Sequence, residues 1–314
     1  MKSTGLVNKK SKGGDKINHK NNLEGFEKLK KAGEIAKQAK LYAREIIKTG
    51  MPLLEIAEKI EAKILELGGN MAFPVNLSIN EIAAHSTPAF NDLEIARGLL
   101  KVDIGVHIDG FIADTAISLD LEDSEENKKL IESAQTALKK AVEKIHFGIK
   151  LREIGKEIEK TILSFGFQPV RNLSGHAITP YLLHSGINIP NHDNFQEYEL
   201  EKGIYAIEPF STPGVGQVIN GKLSGIYVLE KDGSVRDPFA REILKFIKET
   251  YQTLPFCSRW LCKKFGSRAL IALKRIEEAN LVHHYAQLIE KERKKVAQAE
   301  HTIILTKNEK IVTT

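Results

Sequence analysis

Two aspartates stand in an unusual place in the stretch KVDIGVHIDGFIADTAISLD, residues 101–120. Asp109-Gly110 is a favoured two-residue turn, so the stretch predicts a β-hairpin in which Asp114 faces Gly105 and Asp103 faces Ala116. Residues two apart share a face, which puts Asp103 and Asp114 on one face at roughly 7–8 Å. Two close carboxylates must share a proton, meet cations or stay solvated. Either an edge hairpin with a wet face or a metal site would satisfy this pattern.

A metal site needs further ligands, and the chain offers four on strand-like segments. They are His176 in NLSGHAITP, His184 in LLHSG, Glu208 in YAIEPF and Glu300 in AEHTIIL. Any one alone is more often a salt-bridged or surface residue, but a glutamate within an apolar run is costly unless it is paired. Carboxylates with imidazole and no thiolate suit Mn, Fe, Co or Zn in an open site. Four carboxylates can neutralise two divalent ions, as a two-metal hydrolase requires.

The composition is that of a globular protein large enough to bury a sizeable core. The chain has 314 residues, with 46 basic and 41 acidic residues giving a net charge of +5. This mild excess is weak support for a nucleic-acid partner. No apolar run reaches 18 residues and none follows the first methionine, which argues against a membrane span or secretory signal. Only Cys257 and Cys262 are present, so there is no disulfide framework, and we expect a cytoplasmic protein.

The elements that must position these residues form an α/β pattern. Residues 1–22 are rich in Lys, Gly and Asn and predict a disordered basic tail. Helical spacing then runs from Leu23 to Gly50 and again from Pro52, and two more helices are predicted over 122–147 and 151–165. From about 237 to 297 the chain turns polar and helical, which we interpret as a helical insertion in the second half of one α/β domain, residues 23–314. No repeat is visible at the residue level.

Four motifs together resemble those of type 2 methionine aminopeptidases in their short archaeal form. They are KVDIGVHIDGFIAD, NLSGHAITPYLLHSG, YAIEPF and AQAEHTIIL. The chain order Asp, Asp, His, Glu, Glu matches, as does the insertion between the two glutamates. The resemblance covers nearly the whole chain from Leu23, and it implies the pita-bread α/β fold with pseudo-twofold symmetry. The short basic tail departs from the family pattern.

The resemblance also implies a role for each site residue. Two divalent metal ions (Co, Mn, Fe, Zn or Ni) would be held by Asp103, Asp114, His176, Glu208 and Glu300. Asp103 would chelate one ion, His176 and Glu208 the other, and Asp114 and Glu300 would bridge them. A water activated by the cations would be the nucleophile, with Glu208 as proton shuttle. His85, in AAHSTP, would donate to the scissile amide, and His184 would hold the substrate carbonyl. Phe73 and Leu183 are candidates for the methionine pocket.

The implied activity is removal of the initiator methionine from nascent proteins whose second residue is small. A prolidase or aminopeptidase P of the same fold is one alternative, although these carry a sizeable extra N-terminal domain. A catalytically inactive binding relative is another, although such relatives lack ligands that are present here. The expected partners are N-termini of nascent polypeptides, with ribosome association through the basic tail as a further possibility. We expect a monomer without membrane or specific DNA binding.

Overall fold

The computed structural model describes residues 14–314 of the chain, with side chains from residue 24 onward. Seven helices are described: α1 Gly14–Ile46, α2 Leu53–Glu66, α3 Glu125–Lys144, α4 Leu151–Ser164, α5 Pro238–Thr250, α6 Ser258–Phe265 and α7 Ala269–Glu278. The strands are β1 Asn70–Met71, β2 Asn76–Ile79, β3 Ile82–Ala84, β4 Leu99–Ile108, β5 Phe111–Asp120, β6 Gln168–Pro169, β7 Ser174–Ile178, β8 Asn188–Pro190, β9 Gly203–Ile207, β10 Phe210–Thr212, β11 Val218–Leu229, β12 Phe256–Cys257, β13 Val282–Glu290, β14 Ala297–Gln298, β15 His301–Leu305 and β16 Lys310–Val312. Among these residues no helix is both long and apolar enough to cross a membrane.

The first half packs the helix pair α1–α2 on a four-stranded antiparallel sheet, in which β4 pairs with β1, β2 and β5. Ile56 and Ile60 of α2 are fully buried against Val102 and Ile104 of β4. The face of the β4–β5 hairpin opposite to Asp103 and Asp114 therefore packs in the core, as the alternation of residues along its strands predicts. Helix α1 begins at Gly14, earlier than the start at Leu23 expected from the sequence, and the disorder predicted for residues 1–22 stays a prediction. The remainder of that predicted tail, residues 1–13, lies outside the described residues.

The second half repeats this layout with different elements. Helices α3 and α4 cover the five-stranded antiparallel sheet β16-β15-β9-β7-β8. Helix α3 begins where the Ser124 hydroxyl accepts a hydrogen bond from the Asn127 amide, which satisfies one of the first unpaired amides of the helix. Ile154 and Ile158 of α4 are buried in a core shared with the sheet. Two similar halves, each a helix pair on an antiparallel sheet, confirm the predicted α/β fold with pseudo-twofold symmetry.

The two sheets meet along β5 and the β14–β15 segment. The Thr302 hydroxyl binds the backbone of Asp114 on both sides, accepting from its amide and donating to its carbonyl at 2.8 Å each. The Ser118 hydroxyl makes the same two contacts, also at 2.8 Å, with the backbone of Gln298. These bonds hold β5 beside the segment that carries Glu300, and so they bring the acidic residues of the two halves to one seam.

The insertion differs from its predicted form at its C-terminal end. Helices α5, α6 and α7 lie between β11 and β13 in the chain, as expected for a helical insertion. Val282–Glu290, however, is the strand β13 and not helix, because it pairs antiparallel with β11, from Val218 opposite Glu290 to Leu229 opposite Val282. This pairing spans tens of residues of sequence, and local polar composition gives no sign of it. Helical structure in the insertion therefore ends at Glu278.

Candidate metal centre and active site

The hairpin of β4 and β5 has the register that its turn predicts. Asp109 and Gly110 both have positive φ, at 47° and 83°. Asp114 lies opposite Gly105, and Asp103 opposite Ala116. Asp103 and Asp114 therefore project from one face of the hairpin, toward the second half of the molecule.

The two glutamates come from neighbouring strands that share one register. Strand β9 ends at Ile207, because Pro209 has no amide hydrogen to continue the pairing. Ile207 lies opposite His301 before this break, and Phe210 lies opposite Gln298 after it. The register is the same on both sides, so Glu208 and Glu300 face each other across the gap. The break leaves both side chains beside the seam between the sheets.

His176 completes the cluster from the strand on the other side of β9. It lies opposite Ala206, two residues before Glu208, so both side chains share a face of the sheet. Its Nε2 atom is 3.5 Å from Oε1 of Glu208 and 3.7 Å from Oδ2 of Asp114. One ligand atom from each of Asp114, His176 and Glu300 lies within 4.8 Å of the others. This spacing suits a single ion held among them.

One cavity of about 240 Å³ is lined by every residue that was predicted from the sequence to belong to the site. Its lining includes Phe73, His85, Asp103, Asp114, Leu183, His176, His184, Glu208 and Glu300. Phe73 and Leu183 belong to one apolar cluster beside the carboxylates. A Cβ atom at Gly105 would lie only 2.2 Å from the Phe73 ring, so glycine at this position lets the ring pack directly on the hairpin backbone opposite Asp114.

Burial dominates the acid–base properties of the four carboxyl groups. It raises the pKa of Asp103 to about 7, although hydrogen bonds with Asp114 and Gln298 act in the opposite direction. Burial and repulsion from Asp103 raise the pKa values of Asp114 and Glu208 well above their usual range. Burial and then repulsion from Asp114 do the same for Glu300. Without cations these groups cannot all ionise near neutral pH.

The donor set fits divalent metal ions. Within residues 24–314, no lysine or arginine forms an ion pair with any of the four carboxylates. Buried oxygens of Asp103, Asp114 and Glu300 have no hydrogen-bond partner. Asp114 and Glu300 are only 3% and 2% exposed, too deep for water to compensate fully. Hard cations with oxygen ligands would satisfy both the charges and the unpartnered atoms.

Two further histidines reach the cavity without joining the carboxylate cluster. His85 follows β3 and adopts φ of 58°, and its ring contacts Tyr285 edge-on at 5.3 Å. Burial lowers the pKa of His85 to about 4, so its imidazole is neutral at physiological pH. His184 lies at the exposed mouth of the cavity, with its ring 4.4 Å from that of His176. Both can hydrogen-bond a ligand that reaches the carboxylates.

Comparison with known families decides what kind of site this is. Residues 27–307 match the model of metallopeptidase family M24. The chain belongs to this family. A metal-dependent peptidase chemistry therefore accounts for the unpaired carboxylates, and the predicted metal requirement is confirmed, without the identity of the metal.

Relatives of this M24 metallopeptidase cover almost all of its length. The methionine aminopeptidase of Pyrococcus abyssi is 46% identical over 92% of this chain and 99% of its own. Among solved structures, methionine aminopeptidase from Thermotoga maritima superposes with a TM-score of 0.67 at 22% identity, covering 93% of this chain and 96% of the other. A thermophilic Arx1 gives a TM-score of 0.80 at 14% identity, covering 92% and 90%. The two structures establish the fold, and the sequence relatives establish the family.

Among the residues that were not predicted from the sequence, Asn76 and Tyr285 line the cavity of this M24 metallopeptidase, and Gln298 contacts its carboxylates. Gln298 lies 3.5 Å, through Nε2, from Oε2 of Glu208 and also bonds Asp103. Its position two residues before Glu300 was a usable signal, because alternate residues of a strand share a face. Asn76 lies opposite Asp103 on β2 and lines the cavity with its buried side chain. It and Tyr285 are placed by long-range strand pairing that the sequence does not reveal.

The insertion contributes to the cavity through its strands and connecting segments. Helices α5, α6 and α7 supply no residue to the lining. Ile226 of β11, Pro255, and Tyr285 and Leu288 of β13 line it instead. The helices pack on the other side of this hairpin, where Tyr227 and Val282 join their core. This wall of the cavity is therefore a β-hairpin, and the helices pack against its opposite face.

Proposed function

We propose that this M24 metallopeptidase removes the initiator methionine from nascent polypeptides whose second residue is small. The observation that carries the proposal is the convergence of four buried carboxylates and His176 on one cavity, directly beside the apolar pair Phe73 and Leu183. The curated relatives with 38% to 46% identity are named methionine aminopeptidases. A metal-binding cluster with an apolar pocket at its edge fits an exopeptidase that selects an unbranched side chain.

The ligand assignments are part of this proposal. Asp103 would hold one divalent ion, His176 and Glu208 a second, and Asp114 and Glu300 would bridge the two. The position of Asp114 and Glu300 on either side of the seam between the sheets supports the bridging role. When bound, such a pair of ions supplies Lewis acidity for the scissile carbonyl and for the attacking water.

The remaining polar groups handle protons and orient the substrate. Burial and repulsion raise the pKa of Glu208, which favours its role as the group that accepts a proton and returns it during the reaction. His85, neutral in its buried position, would donate a hydrogen bond to the scissile amide. His184, at the mouth of the cavity, would hold the substrate carbonyl and stabilise the oxyanion that develops there.

Selectivity would come from the narrow apolar end of the cavity. The methionine side chain would lie against Phe73 and Leu183, whose packing on the hairpin leaves little room for movement. A large second residue would meet the β11–β13 wall, where a tight apolar surface tolerates little added volume. Peptides that begin Met-Ala, Met-Gly or Met-Ser should therefore be cleaved, and those that begin Met-Leu or Met-Lys hardly at all.

The decisive experiment measures kcat/KM for Met-Ala-Ser, Met-Leu-Ser and an Ala-Pro peptide, after the chelated protein has been reloaded with one metal at a time. Cleavage of Met-Ala-Ser at least tenfold faster than the others is expected, since one misfitting group in an apolar pocket costs about 10–200-fold. Preferential hydrolysis of the Ala-Pro peptide would favour the prolidase alternative. An N-acetylated Met-Ala-Ser peptide should resist cleavage, and rapid hydrolysis of it would contradict an exopeptidase.

An inactive binding relative remains the alternative from another class. Such a protein need not carry metal, so metal content of the purified protein separates the two readings. A cytoplasmic location, a monomeric state, ribosome association through the basic residues before residue 23, and the absence of specific DNA binding stay predictions. Sedimentation of the protein with ribosomes at low and high salt would test the ribosome prediction, because a basic tail binds RNA in a salt-dependent way.

A further inference from the structure

A buried ion pair ties the insertion to the first half of the molecule. Arg259 of α6 is 2% exposed and Glu61 of α2 is 6% exposed. The two guanidinium Nη atoms donate to the two carboxylate oxygens of Glu61 at 2.7 Å each, and the Trp260 indole donates to the same carboxylate at 2.9 Å. A parallel two-bond contact of this kind fixes both position and orientation of the guanidinium.

The same guanidinium also holds the segment that follows His85. Its Nε atom donates to the carbonyl of Pro88 at 3.1 Å, and one Nη atom lies 3.4 Å from the Thr87 hydroxyl. Because proline has no amide hydrogen, the carbonyl is the only backbone group through which Pro88 can be held by hydrogen bonding. Arg259 therefore connects α2, the insertion and the segment of residues 86–88.

This segment needs support because His85 has a left-handed backbone. A non-glycine residue at φ of 58° persists only where the surroundings determine its conformation. The Ser86 carbonyl accepts from the Leu77 amide at 2.6 Å, and the Ser86 hydroxyl accepts from Gln287 at 3.0 Å. Residues 87 and 88 are then held from the other side by Arg259. The position of the His85 ring depends on both sets of contacts.

We propose that Arg259 is a positioning residue for the reaction: through Thr87 and Pro88 it fixes the segment that presents His85 to the substrate. The insertion then has a second role in addition to lining the cavity, because its helix α6 fixes the position of His85, which belongs to another part of the fold. The proposal rests on the proposed function in one respect, namely that His85 acts on the substrate.

The test compares two links between the same two helices. The double variant Glu61→Leu/Arg259→Met removes the ion pair without leaving one charge buried, and apolar replacement of both partners is often close to neutral for stability. Lys263→Ala removes the exposed contact, 3.4 Å, between Lys263 of α6 and Glu58 of α2, and it leaves the His85 segment untouched. Arg259→Lys keeps the charge but cannot form the two-bond contact together with the Pro88 contact.

The double variant should retain metal and a cooperative thermal transition, while kcat for Met-Ala-Ser falls by about 10²-fold, as expected when a catalytic group is displaced by about 1 Å. The expected change in KM is smaller, because the metal ligands and the apolar pocket are intact. Arg259→Lys should fall between this variant and the wild type, and Lys263→Ala should match the wild type. Hydrogen exchange of the amides in residues 82–90 should accelerate most in the double variant, less in Arg259→Lys and not at all in Lys263→Ala.

Unchanged kcat in a folded, metal-loaded double variant would overturn the proposal. So would a loss of kcat without faster exchange in residues 82–90, because Arg259 would then act by another route. If the wild-type protein does not hydrolyse Met-Ala-Ser at all, the proposed function fails. The exchange measurement still tests the inferred tie in that case, and equal exchange in the double variant and Lys263→Ala would refute it.

Discussion

Two buried acidic regions of this molecule differ in how the charges of their carboxylates are compensated. Glu61 is deeply buried, but it meets a two-bond guanidinium and an indole N–H. Asp114 and Glu300 are at a similar depth and Asp103 is half-buried beside them, yet each of the three carboxylates has an oxygen with no hydrogen-bond partner. Burial of a charge is tolerated only when it is paired or coordinated. The first region is complete in the protein alone, whereas the second requires ions.

The pKa values express the same difference. Burial by itself lowers the pKa of Arg259, but the hydrogen bonds and charge of Glu61 more than offset this, so the guanidinium stays ionised. In the cluster, burial and mutual repulsion act together to raise the pKa values of Asp114, Glu208 and Glu300. Unsatisfied buried carboxylates thus mark a functional site, and a satisfied buried ion pair marks a structural one.

The largest effects are expected when one histidine is removed from the carboxylate cluster and another from the part of the cavity outside that cluster. His176→Ala should lose metal and more than about 10²-fold in activity, because even residues that only support metal ligands cost 10–100-fold. His85→Ala should lower kcat by about 10²–10⁴-fold with metal content unchanged, since it acts on the substrate. Metal analysis and steady-state kinetics check both. Equal metal loss in the two variants would show that their roles are wrongly assigned.

Substitutions in the Glu61–Arg259 ion pair should mainly change the free energy of unfolding. Glu61→Leu leaves Arg259 buried without a counter-charge, and it should reduce the free energy of unfolding by about 3–5 kcal/mol. Adding Arg259→Met should recover most of this loss. Denaturant unfolding of both proteins measures the difference, with Lys263→Ala as the exposed control, for which a change below about 1 kcal/mol is expected. A single variant as stable as the wild type would remove the contrast between the two regions.

The metal-free protein should lose stability as pH rises from about 6.5 to 8. The carboxyl groups with raised pKa values keep protons in the folded state that the unfolded chain has already released, so the folded state binds more protons and stability falls with pH. Each such proton is worth about 1.4 kcal/mol per pH unit. The buried histidines act in the opposite direction only below about 6.5, where the unfolded chain gains protons that they do not.

Thermal unfolding of chelated and metal-loaded protein across this pH range checks the prediction. The pH range of the prediction ends at about 8 because burial lowers the pKa of Lys40 to about that value. Above it the unfolded chain keeps a proton that the folded Lys40 has lost, so Lys40 makes stability rise with pH. The loaded protein should show a much smaller slope, since bound ions keep the carboxylates ionised in the folded state. A metal-free protein that becomes more stable between pH 6.5 and 8 would contradict the assignment of protonated carboxyls.

The smallest expected effect concerns Gln298, which touches the cluster without being a proposed ligand. Gln298→Leu removes its contacts with Asp103 and Glu208 and should weaken metal affinity by about tenfold. Titration with a fluorescent metal competitor measures this, and Gln135→Leu on the exposed face of α3 is the control. A hundredfold or greater loss would instead place Gln298 among the ligands.

The parts of the site that the sequence predicts are those set by local rules. The turn at Asp109-Gly110 fixes the hairpin register, and this register alone puts Asp103 and Asp114 on one face. Residue types on strand-like segments then add His176, His184, Glu208 and Glu300, and the resemblance to a known family adds His85; all of these reach the same cavity. Local alternation and motif order are therefore sufficient for the core of the site.

The parts that could not be predicted depend on contacts between distant segments. Val282–Glu290 has a mixed polar sequence, and its pairing with β11 and β3 makes it a strand. Asn76 is placed by the pairing of β2 with β4. Arg259 and Glu61 are 198 residues apart, and nothing in the local sequence of either distinguishes a buried ion pair from two solvated surface charges.

The hydrogen bonds between Asp114 and Thr302 join residues 188 positions apart. A ribosome adds about 5–20 residues per second, so roughly 10–40 s separate the synthesis of the two. During that interval the first hairpin exists without the segment that carries Glu300, and the ligand set is incomplete. A partly synthesised copy that lacks Glu300 therefore cannot assemble the complete set of proposed metal ligands.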